Sequence, residues 1–198
     1  MSLLPAMMIT HYDIINAEME LNYVGANSFK LKNKAEVILV NPINNKEKGD
    51  VIVTTGSDRL PVIASVSRSE VFLINEEWEY ELGGVGIIMD RVNGGTIVYF
   101  FIDAVKIAYI DGTALELSEK QLEKLNESDV MLACVNMDKV LLGKLDPYVL
   151  VPFGQSDSAE VDKFILENKF GTVVPNLDKI KLDTQSLPED TQVWVLNA

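Results

Sequence analysis

Short apolar runs, several of them alternating with polar residues, fill the first two-thirds of the chain. Ser28 to Lys32 alternates, Ala35 to Val40 is almost wholly apolar, and Asp50 to Thr55 follows a polar turn centred on Asn44-Asn45-Lys46. This period of two, bounded by turn residues, predicts strands. Val62 to Val66 and Val71 to Ile74 read the same way, and Glu79 to Asp90 mixes glycine with β-branched residues. Asn93-Gly94-Gly95 then predicts a hairpin turn before a strand over Thr96 to Ile102, because Asn and Gly tolerate φ > 0. A further strand, Val105 to Ile110, ends at a second turn signal, Asp111-Gly112.

Beyond that point the period changes. Ser118 is a good N-cap, and Gln121 three residues on completes a capping box, so a helix opens there with Leu122 and Leu125 toward the core. Asp129 to Val135 and Tyr148 to Pro152 read as buried strands. Ala159 to Lys169 is an amphipathic helix with Val161, Phe164 and Ile165 inward, and Gln192 to Leu196 is the closing strand. Strands in series followed by alternating helix and strand predict stacked layers of sheet and helix around one core. No repeat or linker divides the sequence, so it reads as a single domain over residues 1–198. Residues 1–7 read as an appended or disordered segment, with Met7 or Met8 the natural start.

Charge narrows the partners. Seventeen Lys and Arg against thirty Asp and Glu give a net charge of −13, a field that repels nucleic acid and anionic membrane. The longest apolar runs are far too short to cross a bilayer, and Met1 to Met8 lacks the basic start of an export signal. One Cys forms no internal disulfide, which fits a cytoplasmic location. Mean hydropathy of +0.12 in so acidic a chain, together with the apolar Met1 to Met8, leaves a homo-oligomer open.

Little in the sequence carries chemistry. His11 is the only His, and it reads as a structural, half-exposed residue rather than a ligand or base. Cys134 lies inside an apolar strand, where a small buried hydrophobe is the simpler reading than a nucleophile. There is no Gly-x-Ser-x-Gly and no Walker lysine loop. Gly83-Gly84-Val85-Gly86 precedes β-type residues rather than a helix, so a core or bulge role outweighs a nucleotide loop. In Glu76-Glu77-Trp78-Glu79-Tyr80-Glu81, alternation sets Glu77, Glu79 and Glu81 on one face and the aromatics on the other. Such oxygen ligands suit Mg²⁺ or Ca²⁺, but a solvated face backed by packed aromatics is the plainer reading.

Five segments together resemble the zinc-dependent hydrolases of the metallo-β-lactamase fold. Tyr23 to Leu31 looks like that family's opening strand, Val40-Asn41-Pro42 like its Thr-Asp-Pro, and Glu79 to Val85 like its Gly-Glu-Tyr-Glu strand. Leu117 to Val135 looks like its helix-then-strand unit, and Leu187 to Leu196 like its closing strand. The resemblance implies an α/β (α+β) fold, a four-layer αββα sandwich with two mixed β-sheets flanked by helices.

It also implies where the family's zinc ligands fall, and histidine is missing from every one of those places. His-x-His-x-Asp-His corresponds to Val53 to Leu60, with Thr55, Ser57, Arg59 and Leu60 where ligands are expected and Asp58 beside them. The opening His matches Ala26, Gly-Asp is reversed to Asp111-Gly112, and the last His matches Gly154. Thr55, Ser57, Asp58, Arg59, Asp111 and Gly154 are therefore expected to line a vestigial pocket with no zinc site. Arg59 is expected to neutralise Asp58 or Asp111 in place of the ion. Asp58 and Asp111 with waters suit at most a weakly held Mg²⁺ or Mn²⁺. A non-catalytic binding or assembly module is the reading this favours. The alternative is a hydrolase with a carboxylate-based Mg/Mn site acting on a small molecule or phosphoester.

Overall fold

The computed structural model describes residues 19–56, 71–154, 158–183 and 185–198. His11, Met1 to Met8 and the expected strand Val62 to Val66 lie outside the described residues.

Two mixed sheets face each other. In the first, β1 (Met19–Gly25), β2 (Ser28–Lys32), β3 (Val37–Val40), β4 (Val51–Val53), β5 (Phe72–Ile74) and β12 (Ile180–Leu182) run in the order β12-β1-β2-β3-β4-β5. The second contains β6 (Glu79–Leu82), β7 (Val85–Ile102), β8 (Val105–Glu116), β9 (Val130–Cys134), β10 (Val149–Phe153), β11 (Thr172–Leu177) and β13 (Gln192–Leu196). Its order is β11-β13-β10-β9-β8-β7-β6. Pairing is parallel from β3 to β5 and from β8 through β9, β10 and β13 to β11, and antiparallel elsewhere.

Alternation decides which side chains meet. Phe29, Leu31, Ile38, Val40, Val51 and Val53 of the first sheet pack against Val98, Phe100, Tyr109, Leu132 and Val151 of the second. The opposite residues of the second sheet, Ile97, Ala108, Ile110 and Met131, pack under the helices α1 (Glu119–Asn126), α2 (Lys139–Leu142) and α3 (Ser158–Asn168). Leu125 of α1 and Phe164 of α3 anchor that layer, each worth about 1.5–3 kcal/mol when fully buried. On the outer face of the first sheet Leu39 and Ile52 are buried beside Val37 and Val71. Three of the four layers of a metallo-β-lactamase-type sandwich thus lie among the described residues.

The capping box at α1 is formed as the sequence predicts: the Gln121 N–H donates to Ser118 Oγ, and the Ser118 N–H donates to Gln121 Oε1. β7 is bonded without a break through Asn93-Gly94-Gly95, where the hairpin is expected. A Cβ on Gly86 would lie 3.4 Å from the Phe101 side chain, and Lys124 reaches both Asp90 (2.8 Å) and the Tyr99 ring (4.3 Å). A straight run would hold Gly86 and Phe101 roughly 50 Å apart at about 3.3 Å per residue. The strand therefore doubles back at Gly94 (φ 90°), and β7 supplies two adjacent strands of the sheet.

Asp111-Gly112, expected to end a strand, lies inside β8 instead. The ladder carries on past it, with Thr96 opposite Asp111 and Gly95 opposite Gly112, and a bulge between Asn93 and Gly95. The turn from β7 to β8 is made by Asp103 and Ala104, at φ 50° and 67°. Gly83-Gly84 is the tight turn from β6 to β7, not a core or bulge element; both glycines have positive φ and both are exposed. The aromatic face of the acidic strand is only partly packed: Tyr80 leans on Phe72, while Trp78 is 72% exposed.

Candidate functional site

At one end of the sandwich the chain leaves β3 at Asn41, β4 at Thr54-Thr55 and β10 at Gly154, and the β1–β2 turn brings Ala26 and Asn27 alongside. Asn41 is wholly buried and sits at φ 46°, a left-handed conformation that Asn adopts more readily than most residues. Its N–H donates to Val53 O (2.8 Å), so the turn after β3 is tied to β4. Two residues past Val53, Thr55 points inward like Val53; two residues past Tyr109, Asp111 does the same on β8.

These positions make one network across the two sheets. Asn41 Nδ2 donates to Thr55 Oγ1 and to the Tyr109 hydroxyl, both at 2.9 Å, and the Thr55 N–H donates to Asn41 Oδ1 at 3.0 Å. The Thr55 hydroxyl donates to Asp111 Oδ2, and the Tyr109 hydroxyl donates to Asn27 O at 3.0 Å. Beneath it, Tyr109 stacks on Phe153 (5.5 Å between centroids, 7° between planes), with Phe29 edge-on to both.

Beside this network the Tyr23 hydroxyl bridges the carbonyl oxygens of Ala26 (2.8 Å) and Gly154 (3.0 Å). Burial above all, then the charges of Cys134 and Glu160, pushes its ionisation up to about 12. Cys134, at the end of β9, is buried, and burial raises its thiol above the ordinary value. The Asn136 backbone hydrogen bond opposes that rise, and the negative charges of Asp111 and Glu160 add to it. Near neutral pH the thiol stays protonated, as a small core residue requires.

Of the six expected pocket residues, the structure brings Thr55 and Asp111 into contact and sets Gly154 at the same end, against Tyr23. Ser57, Asp58 and Arg59 lie outside the described residues. Asn41, Tyr109 and Tyr23 complete the site without having been singled out for it. The signal for Tyr109 was its place two residues before Asp111; for Asn41 it was Asn in place of the family's Asp before Pro42. Glu79 and Glu81 face outward on β6, whereas Asp111 faces inward on β8. With β7 counted twice, three strand spacings separate them, roughly 14 Å at about 4.8 Å each. They cannot share one ion with Asp111.

No protein-family model matches the chain, and no curated protein does. Solved structures do. A protein of Thermotoga maritima named as a Zn-dependent hydrolase of the metallo-β-lactamase superfamily is similar at TM-score 0.73 and 18% identity, over 91% of this chain and 100% of that one. YhfI of Bacillus subtilis, a metallo-β-lactamase fold protein, follows at TM-score 0.62 and 7% identity, over 92% and 97%. A protein of Parabacteroides distasonis named as a metal-dependent hydrolase gives 0.60 and 13%, over 91% and 94%. The chain has the metallo-β-lactamase fold.

The Thermotoga protein is named as Zn-dependent, and zinc makes a strict demand on its donors. Zinc takes three or four His, Cys or carboxylate ligands converging on one point. Among the described residues no three His, Cys, Asp or Glu side chains do so. Asp111 is the one carboxylate in the network, and its Oδ2 already accepts from Thr55. The methyl of Ala26 and the bare Cα of Gly154 donate nothing. The described residues do not fit a zinc ion.

Proposed function

We propose that this chain is a non-catalytic protein of the metallo-β-lactamase fold, serving as a binding or assembly module. The Asn41–Thr55–Asp111 network carries the reading: at the end of the fold where the resemblance places zinc ligands, the polar groups are spent on one another. Thr55 donates to Asp111 and Asn41 donates to Thr55, so among the described residues these groups bind one another rather than a metal ion or a substrate. What the network does supply is a tie between the two sheets, worth about 1 kcal/mol net per hydrogen bond and more where the acceptor is charged.

The test is elemental analysis of the full chain after exposure to zinc, manganese and magnesium and gel filtration. It is paired with assays on phosphodiester, lactone and β-lactam substrates. The expected result is no stoichiometric metal and no turnover. Metal-dependent turnover that is lost in Asp111→Asn would overturn the proposal.

A further inference from the structure

One side of the sandwich ends in two sheet edges that no described strand pairs: β5 closes the first sheet and β6 the second. Phe72 of β5 and Tyr80 of β6 meet edge-to-face at 5.9 Å and join the two edges. Large apolar side chains are left exposed here, Phe72 at 43% and Trp78 at 72%. Glu76, Glu77, Glu79 and Glu81 surround them, all exposed and none in an ion pair among the described residues.

The register shows what this edge offers. The Met89 N–H donates to Trp78 O (3.0 Å), and β6 pairs with β7 through Tyr80↔Ile87 and Leu82↔Val85. Antiparallel bonding alternates, so Trp78, Tyr80 and Leu82 use their backbone groups on β7. Glu79 and Glu81 turn theirs to the open side. A strand laid there would find free N–H and C=O groups at Glu79 and Glu81. Residues opposite those glutamates would lie beside carboxylates, and residues opposite Trp78 and Tyr80 beside aromatic rings.

We infer that the β6 edge takes up an extended segment of a partner protein in which Lys or Arg alternates with apolar residues, added as a further strand. Charge selects this occupant: four glutamates in no ion pair among the described residues, on a chain of net charge −13, favour a cationic strand. The same charges disfavour a second copy pairing β6 on β6, which would set glutamate opposite glutamate. The chain's own basic alternating strand, Lys179-Ile180-Lys181-Leu182, is already built into the first sheet, where Lys179 pairs with Glu20 at 3.1 Å. Edge charge alone would serve to prevent aggregation; an exposed tryptophan beside it would not. This inference concerns a surface away from the Asn41–Thr55–Asp111 network and stands whether or not that site has activity.

The probes are ten-residue peptides added to the full chain. One alternates lysine and valine, one glutamate and valine, and one is the lysine–valine peptide with alternate backbone amides methylated. Hydrogen exchange at the Glu79 and Glu81 amides and tryptophan fluorescence report binding. The lysine–valine peptide should protect both amides and bind at least about tenfold more tightly than either control, less so at high salt. Glu79→Lys/Glu81→Lys, which changes only exposed side chains, should reverse the preference between lysine and glutamate peptides. Equal binding of the methylated peptide would overturn strand addition, and unchanged preference in the double variant would overturn the site. Concentration-dependent self-association abolished by the same variant would assign the edge to a second copy and overturn the proposal.

Discussion

The Thr55 hydroxyl, on the first sheet, donates to the Asp111 carboxylate on the second, while the hydroxyl of its neighbour Thr54 is buried with no hydrogen-bond partner among the described residues. Alternation explains the contrast: successive residues point to opposite faces, and only Thr55 faces the other sheet. The two threonines should therefore answer the same substitution with opposite signs. Thr55→Val leaves Asp111 and Asn41 short of a partner and is expected to cost about 1–3 kcal/mol. Thr54→Val removes an unpaired polar atom at nearly constant volume and should be neutral or stabilising by up to about 1 kcal/mol. Urea unfolding of the two variants checks this; equal losses would mean that the network is not a tie between the sheets.

Asn41 joins two demands in one residue, a left-handed backbone and side-chain hydrogen bonds to Thr55 and to Tyr109. Asn41→Gly relieves the backbone but deletes the bonds; Asn41→Ala deletes the same bonds and keeps an L side chain at positive φ, a strain of about 1–2 kcal/mol. Alanine should thus be the worse of the two by about that amount, with both well below wild type. Thermal unfolding of the pair measures the difference, and glycine as damaging as alanine would remove the backbone from the account.

The strands of the core were legible because their apolar runs carry a clear period. Ser28 to Lys32, Val71 to Ile74 and Gln192 to Leu196 fall within a residue of the observed elements. The site was legible only as an absence, the missing histidines. What replaced them was not, because the bonds from Asn41 to Tyr109 and from Thr55 to Asp111 span 68 and 56 residues, and local pattern carries no such pairing. The turn at Asp103-Ala104 went unread for another reason. Alanine at φ 67° is held there by the flanking ladder, against its own preference. β11 was missed because Pro175 interrupts it and Asn176 bends it at φ 59°.

Tyr23 makes a pH prediction. Its hydroxyl ionises at about 12 in the folded chain against an ordinary value of 10.0. Between those values an unfolded chain gives up the proton and the folded chain keeps it, so stability falls as pH rises through the window; below about 10 the contribution is complete. Tyr23→Phe removes this titration together with the bridge to Ala26 and Gly154. The variant should be less stable near neutral pH and lose less stability than wild type from about pH 9 to about pH 11.5. Unfolding free energies at a series of pH values decide it, and parallel curves would mean that burial of Tyr23 does not govern its proton.

Gly94 and Gly84 separate backbone strain from lack of space. Both lie at positive φ, 90° and 80°, so an L side chain is strained at either, by about 1–2 kcal/mol. Around Gly84 nothing lies within 4 Å of an added Cβ, whereas at Gly94 it would sit 2.1 Å from the Ala114 carbonyl oxygen. That oxygen belongs to β8, held by its ladder to β7, and it cannot withdraw without breaking the register between Asn93 and Glu116. Gly84→Ala should therefore cost about 1–2 kcal/mol and leave the sheet intact. Gly94→Ala should cost more than about 3 kcal/mol and loosen the turn that lets β7 fold back. Because that turn lies two residues from Thr96, the partner of Asp111, the second substitution should also speed hydrogen exchange of the amides near Asp111. Equal costs for the two alanines would show that the turn yields more easily than the Gly94–Ala114 contact implies.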